Sequence, residues 1–179
     1  MPSKSCVKAR PSLERGKSLR VEKDFEELFG LFNKHSVRYC IIGSYAVAFY
    51  AKPRYTKDID ILIESSAENS FRVVRALKAF GFESLPLTER DFRKKKKIIQ
   101  LGYEPLRIDL LTSVEGFSFY RIWKNKRRGA YGEEKVHFIG LEDLVSLKMR
   151  SSRLQDKTDL EMLRELTKSK NRKTKGKKI

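Results

Sequence analysis

Val37-Arg38-Tyr39-Cys40-Ile41-Ile42-Gly43-Ser44 and, a short way on, Thr56-Lys57-Asp58-Ile59-Asp60-Ile61-Leu62-Ile63 decide how this chain folds. The first is an apolar run of strand length halted by glycine, which reads as a buried strand over 37–42. The second alternates, setting Asp58, Asp60 and Leu62 on one face and Ile59, Ile61 and Ile63 on the other. Between them Ser44 to Ala51 reads as a helix opened at a polar cap. Pro53 ends it in the loop Lys52-Pro53-Arg54-Tyr55.

Two aspartates on one strand face repel each other, and burying them unpaired is costly. A divalent cation removes the conflict, since Mg²⁺ binds through one or two carboxylates plus phosphate oxygens of a substrate. Gly43 lets a ligand approach the backbone, and Ser44 adds a hydroxyl and the amides of a helix start, a site suited to phosphate. A third acid, Asp109, lies in Leu106-Arg107-Ile108-Asp109-Leu110-Leu111, where only Arg107 and Asp109 are polar. Asp109 is thus placed to ligate metal or to take a proton from an attacking hydroxyl. The plain alternatives are a solvated sheet face for Asp58 and Asp60, a helix cap for Gly43-Ser44 and a surface ion pair for Arg107–Asp109. It is their combination that points to a nucleoside triphosphate met by metal.

Outward from this centre, Val21, Phe25, Leu28, Leu31 and Phe32 recur at helical spacing, and His35-Ser36 closes that helix. Ala67 to Phe80 predicts an amphipathic helix with Phe71, Val74, Leu77 and Phe80 on its apolar side and Gly81 as C-terminal cap. Residues 97–101 and 106–112 read as a hairpin through Gly102-Tyr103-Glu104-Pro105. Phe117 to Lys124 reads as a short helix, followed by a basic stretch to Arg128 and a closing strand over 136–139. Two helices finish the pattern, Leu141 to about Arg153 and Asp156 to about Leu166, with Leu144, Leu147 and Met149, then Leu160, Leu163 and Leu166, as their apolar positions. The order α-β-α-β-α-β-β-α-β-α-α predicts an α/β (α+β) domain: a mixed sheet flanked by helices, with a C-terminal helical pair.

The 179 residues suffice for one domain with a full core. The net charge of +17 is uneven. Residues 1–20 carry six Lys/Arg against one acid, residues 168–179 carry seven against none, and the body between is only +5. We therefore expect a disordered basic arm over 1–20, a catalytic-type domain over 21–167 and a disordered basic tail over 168–179. Such arms attract polyanions, which makes RNA an expected partner. No apolar run has the roughly 20 residues of a membrane span, and the polar N-terminus lacks a signal-peptide core. With two cysteines, Cys6 and Cys40, no disulfide framework forms, and a cytoplasmic location is expected.

Ile42-Gly43-Ser44, Asp58-Ile59-Asp60 and Asp109, in this order, resemble the signature of the polymerase-beta-like nucleotidyltransferase superfamily. The segments Lys52 to Asp60 and Leu141-Glu142-Asp143-Leu144 with Lys148, Arg153, Asp156 and Asp159 are similar to one branch of it. That branch contains minimal nucleotidyltransferases and the nucleotidyltransferase toxins of toxin–antitoxin systems. The resemblance spans about residues 24–166. It implies an Mg²⁺-dependent transfer of a nucleoside monophosphate from a triphosphate to a hydroxyl of RNA, protein or a small molecule. It also implies Asp58, Asp60 and Asp109 as metal ligands, in a two-metal site. Gly43 and Ser44, with Lys57 and Lys148, would hold the triphosphate, Arg54 and Arg107 being further phosphate partners, and an antitoxin-like protein would be a partner. Two other functions use the same residues: a non-catalytic nucleotide- or RNA-binding module, and a metal-dependent nuclease, against which Gly43-Ser44 argues.

Other residues read as structural. His35 and His137 lack partners at metal or triad spacing. Asp156 and Asp159 suit the first turn of the last helix. Lys94 to Lys97 reads as a solvated hairpin edge that is also able to lie along a polyanion. Phe119, Tyr120 and Trp123, beside Lys124, Lys126, Arg127 and Arg128, read as packing, with base stacking as the alternative.

Overall fold

The computed structural model describes residues 22–51, 56–102 and 106–175, with side chains to 166. Six strands form one mixed sheet: β1 (Tyr39–Ile41), β2 (Asp58–Ile63), β3 (Ile98–Leu101), β4 (Arg107–Leu111), β5 (Arg127–Tyr131) and β6 (Glu134–Phe138). Their spatial order is β3-β4-β2-β1-β6-β5. β2 runs parallel to β4 and antiparallel to β1, while β1 runs parallel to β6. The helices are α1 (Lys23–Lys34), α2 (Gly43–Tyr50), α3 (Ala67–Ala79), α4 (Glu89–Arg93), α5 (Phe119–Asn125), α6 (Leu141–Met149) and α7 (Leu154–Lys175). The α/β reading with a C-terminal helical pair is what the chain adopts.

Alternation in β2 works as the sequence demands. Ile59, Ile61 and Ile63 are fully buried, while Asp58 and Asp60 on the opposite face keep partial access to solvent. α1 buries Phe25, Leu28, Phe29 and Phe32. Phe29 stacks on Tyr39 of β1 at 5.5 Å and meets Tyr131 of β5 edge-on at 5.4 Å. These rings bind α1 to the β1-β6-β5 half of the sheet, since aromatic pairs add to the burial of their area. Cys40 is a buried free thiol whose pKa burial pushes up to about 12.

Several expectations are corrected. In α3 Leu77 is buried and Val74 and Phe80 pack on the core as expected, but the buried stripe runs through Asn69, Ser70, Val73, Ala76 and Leu77, and Phe71 is 48% exposed under the Arg75 guanidinium. The reason is polar: Asn69 accepts from Arg38 N and donates to the carbonyls of Arg38 and Glu64, a strap that fixes the helix rotation. Two elements lie outside the expected order. α4 is a single turn held by a Thr88–Asp91 capping box. β5 takes in the end of the basic stretch and pairs with β6 across the two-residue turn Gly132-Glu133, whose Glu133 amide is held by Glu26. α6 stops at Met149, which is exposed, and α7 runs on past Leu166 to Lys175. The basic arm over 1–20, Cys6, Arg54 and most of the Gly102–Pro105 turn lie outside the described residues. Among the described residues no helix is long and apolar enough to cross a membrane.

Candidate active site

β1 ends at Ile41, and the Ile42 amide donates to the Asp60 carbonyl at 2.9 Å, so the chain leaves the sheet directly beside Asp60. Gly43 makes the turn with φ +63°, a conformation glycine adopts without strain, and is itself the first residue of α2. The N-cap is thus two positions before the expected polar cap, Ser44. Ile42 is the N-cap and offers no side-chain hydrogen bond, and Ser44 lies inside the first turn. A Cβ on residue 43 would stand 2.0 Å from Asp60 Oδ2. The helix start therefore lies directly against the carboxylate.

β4 beside β2 brings in the third acid. The register pairs Asp58 with Arg107 and Asp60 with Asp109, so all four side chains share one sheet face. Asp109 is buried. The guanidinium of Arg107 bridges the group: Nη2 is 2.8 Å from Asp58 Oδ2, and Nε is 2.9 Å from Asp109 Oδ1. Asp60 carries the electrostatic cost. Burial first, then the charges of Asp109 and Asp58, push its pKa up to about 6, with Lys148 and Arg153 opposing them.

Lys148 is neither an exposed surface lysine nor open to the solvent. It is buried on α6, with Nζ 2.9 Å from Asp159 Oδ2 and a second ion pair to Asp156. Asp156 lies in the first turn of α7 as the sequence predicts, with Asp159 one turn further on. Both also pair with Lys148 and so lock α7 onto α6, while Ser151 donates to Asp156. Lys57 is exposed at the mouth of β2, its carbonyl accepting from the Arg107 amide at 3.3 Å. β3 adds a residue that the sequence analysis does not single out, Gln100, which the β3–β4 register places opposite Asp109 on the same face. Only the strand pairing, which is not a local signal, brings it there. His137 is structural in its surroundings, packed edge-on against Trp123 at 5.0 Å with burial lowering its pKa. Trp123 is itself covered by Lys126 and Arg38 and stacked on Phe119.

Three carboxylates are hard oxygen donors, the chemistry that Mg²⁺ selects. Among the described residues no three acidic, histidine or cysteine groups stand close enough to hold a metal ion as arranged. The cation position between Asp58 and Asp109 is taken by Arg107. The donors fit the ion, and the mutual repulsion that raises the Asp60 pKa is what a divalent cation would relieve.

Residues 21–179 match the family described as nucleotidyl transferase of unknown function (DUF2204). The chain belongs to that family. Two solved structures share the fold of this nucleotidyl transferase. Lincosamide antibiotic adenylyltransferase LnuA, in its lincomycin-bound form, aligns with a TM-score of 0.55 at 18% identity, covering 83% of this chain and 99% of that one. The Thermotoga maritima protein TM1012, assigned as a nucleotidyltransferase, aligns with a TM-score of 0.50 at 16% identity, covering 82% and 92%. No curated protein matches the chain. Family and fold agree with the polymerase-beta-like superfamily to which the sequence pattern pointed.

Proposed function

We propose that this nucleotidyl transferase moves a nucleoside monophosphate from a triphosphate to an acceptor hydroxyl on the sheet face carrying Asp58, Asp60 and Asp109. The observation that carries this reading is the contact of Gly43 with Asp60 while Asp60 stands in register with Asp109. It puts a helix start, suited to phosphate, against a carboxylate cluster suited to metal.

In this reading Gly43 and Ser44 seat the triphosphate at the start of α2, with Lys57 at the strand mouth adding positive charge. Asp58, Asp60 and Asp109 would hold Mg²⁺, which supplies Lewis-acid stabilisation of the phosphate oxygens when bound. Arg107, released from Asp58 and Asp109, becomes a phosphate partner. Lys148 serves through position, holding α7 in place and offsetting the Asp60 charge from α6. The acceptor oxygen bonds to the α-phosphorus, the bond from that phosphorus to the β-phosphate oxygen breaks, and pyrophosphate leaves. The hydroxyl proton passes to Asp109 or to water. The likeness of the terminal helices to toxin-type nucleotidyltransferases supports a role in a toxin–antitoxin pair, with a small antitoxin protein as partner.

The test is incubation with Mg²⁺ and each α-labelled nucleoside triphosphate, offered total RNA, protein and small-molecule extracts, beside Asp58→Asn/Asp60→Asn. Metal-dependent label in one acceptor class, absent from the variant, is expected. Triphosphate binding with no transfer to any class would instead make the chain a binding module.

A further inference from the structure

The face that carries the acids does not end with them. Leu62 and Leu111 follow Asp60 and Asp109 two residues along β2 and β4, and Ile98 of β3 pairs with Leu111. All three therefore point the same way as the acids, about 7 Å further along the strands. They floor an open trough of about 590 Å³, walled by Phe117 and Phe119 and rimmed by Lys95 and Lys96. Its size is that of a site for one small ligand or one nucleotide. Ile98 is 57% exposed, a large apolar side chain on an edge strand left open among the described residues.

The rim is held in place. The Lys96 amide donates to Ser113 Oγ at 2.8 Å and the Lys97 amide to Thr112 Oγ1 at 3.0 Å. These bonds keep Lys96 at φ +59°, which a side-chain-bearing residue adopts only when held. Lys97 is committed to Asp91 at 2.6 Å. Arg93, Lys94, Lys95 and Lys96 are exposed, and no carboxylate among the described residues pairs with Lys95 or Lys96. Lys95 and Lys96 line the trough together with Glu115, and Arg93 and Lys94 directly precede them in the chain. An anion confined to the cavity would use only the first two, so the charge pattern suits an occupant whose charges continue along the rim.

We infer that the trough is the acceptor site and that it takes the terminal nucleotide of a single-stranded polynucleotide, whose backbone runs along Arg93–Lys96. The terminal nucleotide lies on Leu111 and Ile98 and its hydroxyl reaches toward Asp109. The inference rests on the transfer reading above, but polynucleotide binding is measurable without turnover.

The experiment is fluorescence anisotropy of short labelled single-stranded RNA and DNA with the full chain across a salt series. The variants are Lys95→Glu/Lys96→Glu, the milder Lys95→Gln/Lys96→Gln, and Ile98→Asp in the floor. Arg127→Glu/Arg128→Glu, on the opposite edge of the sheet, makes the same change in net charge. The trough predicts at least tenfold weaker binding for the glutamate pair and for Ile98→Asp. It also predicts a salt slope shallower by about 1.4 for the glutamine pair, from two lost phosphate contacts. The Arg127/Arg128 variant should lose less than about threefold from diffuse charge alone. Comparison of RNA with DNA names the strand. Equal losses on both edges, or none on the trough edge, would overturn the site. Triphosphate binding to the same variants should stay unchanged. Its absence from the parent protein would sink the transfer reading instead.

Discussion

A side chain at position 43 would set its first carbon 2.0 Å from Oδ2 of Asp60, so the glycine and the carboxylate exclude anything between them. Gly43→Ala meets this clash and a left-handed backbone at once. It should lower stability by about 1–3 kcal/mol and remove transfer activity. Gly81→Ala is the control. Its φ is also positive, at +108°, but a Cβ there meets nothing within 4 Å, so it tests backbone strain alone. Chemical denaturation of the two variants, with transfer measured on each, separates strain from contact. Full activity in Gly43→Ala would mean that the approach of Gly43 to Asp60 has no role in the site.

Asp60 makes stability depend on pH. Its folded pKa of about 6 lies above the ordinary 3.8, so the folded chain holds this proton more tightly than the unfolded one. The cost of ionising it is absent below the ordinary value, builds as pH rises to about 6, and is complete above that. Asp60→Asn removes the cost and should be more stable than the parent by on the order of 3 kcal/mol at neutral pH, with no gain near pH 3.5. It should also lose transfer. Denaturation midpoints across this range, taken without added metal, check it. A variant no more stable at neutral pH would show that the carboxylate is not held against its own charge.

How far this was legible in the sequence differs from residue to residue. The alternation of β2 and the Gly43 turn are local signals, and they placed Asp58 and Asp60 and the turn into α2, though not its cap. Asp109 was found because Arg107 and Asp109 interrupt an otherwise apolar strand. The bridge from Arg107 to Asp58 was not legible, because it depends on the parallel register of β4 against β2. Lys148 was invisible as a buried residue for a similar reason. Its partners, Asp156 and Asp159, lie across a helix–helix junction whose angle no local pattern gives. Phe71 misled because an aromatic residue counts as apolar even when a neighbouring Asn69 fixes the helix rotation by hydrogen bonds. β5 was read as a basic stretch because an edge strand may carry charge on both faces without loss.

Arg107 makes the response to metal testable. It neutralises Asp58 and Asp109 together, so Arg107→Gln leaves three carboxylates with no bridging cation. Without metal the variant should melt below the parent. Mg²⁺ should raise its melting temperature more than it raises the parent's, because the ion need not displace a guanidinium. Differential scanning calorimetry with and without Mg²⁺ measures both. An equal Mg²⁺ shift in the two proteins would mean that Arg107 and the ion do not compete for the same place.

Lys148 is the last and most structural of these sites. Asp159 is fully buried and Lys148 nearly so, hence removing either charge weakens the compensation of the other. Burial works against ionisation of Asp156, and its bonds to Lys148 and Ser151 outweigh that and hold its pKa below the ordinary value. Lys148→Met would leave both carboxylates without the ammonium, and should cost about 3–5 kcal/mol. Adding Asp159→Asn removes one buried charge and should recover part of the loss, a coupling that a double-mutant cycle reads directly. The same cycle run on transfer tells position from contact. If Lys148 acts by holding α7 and its field at Asp60, the double variant regains stability while the KM for triphosphate stays near the parent's. A KM that rises by an order of magnitude in both variants would place the ammonium on the triphosphate itself.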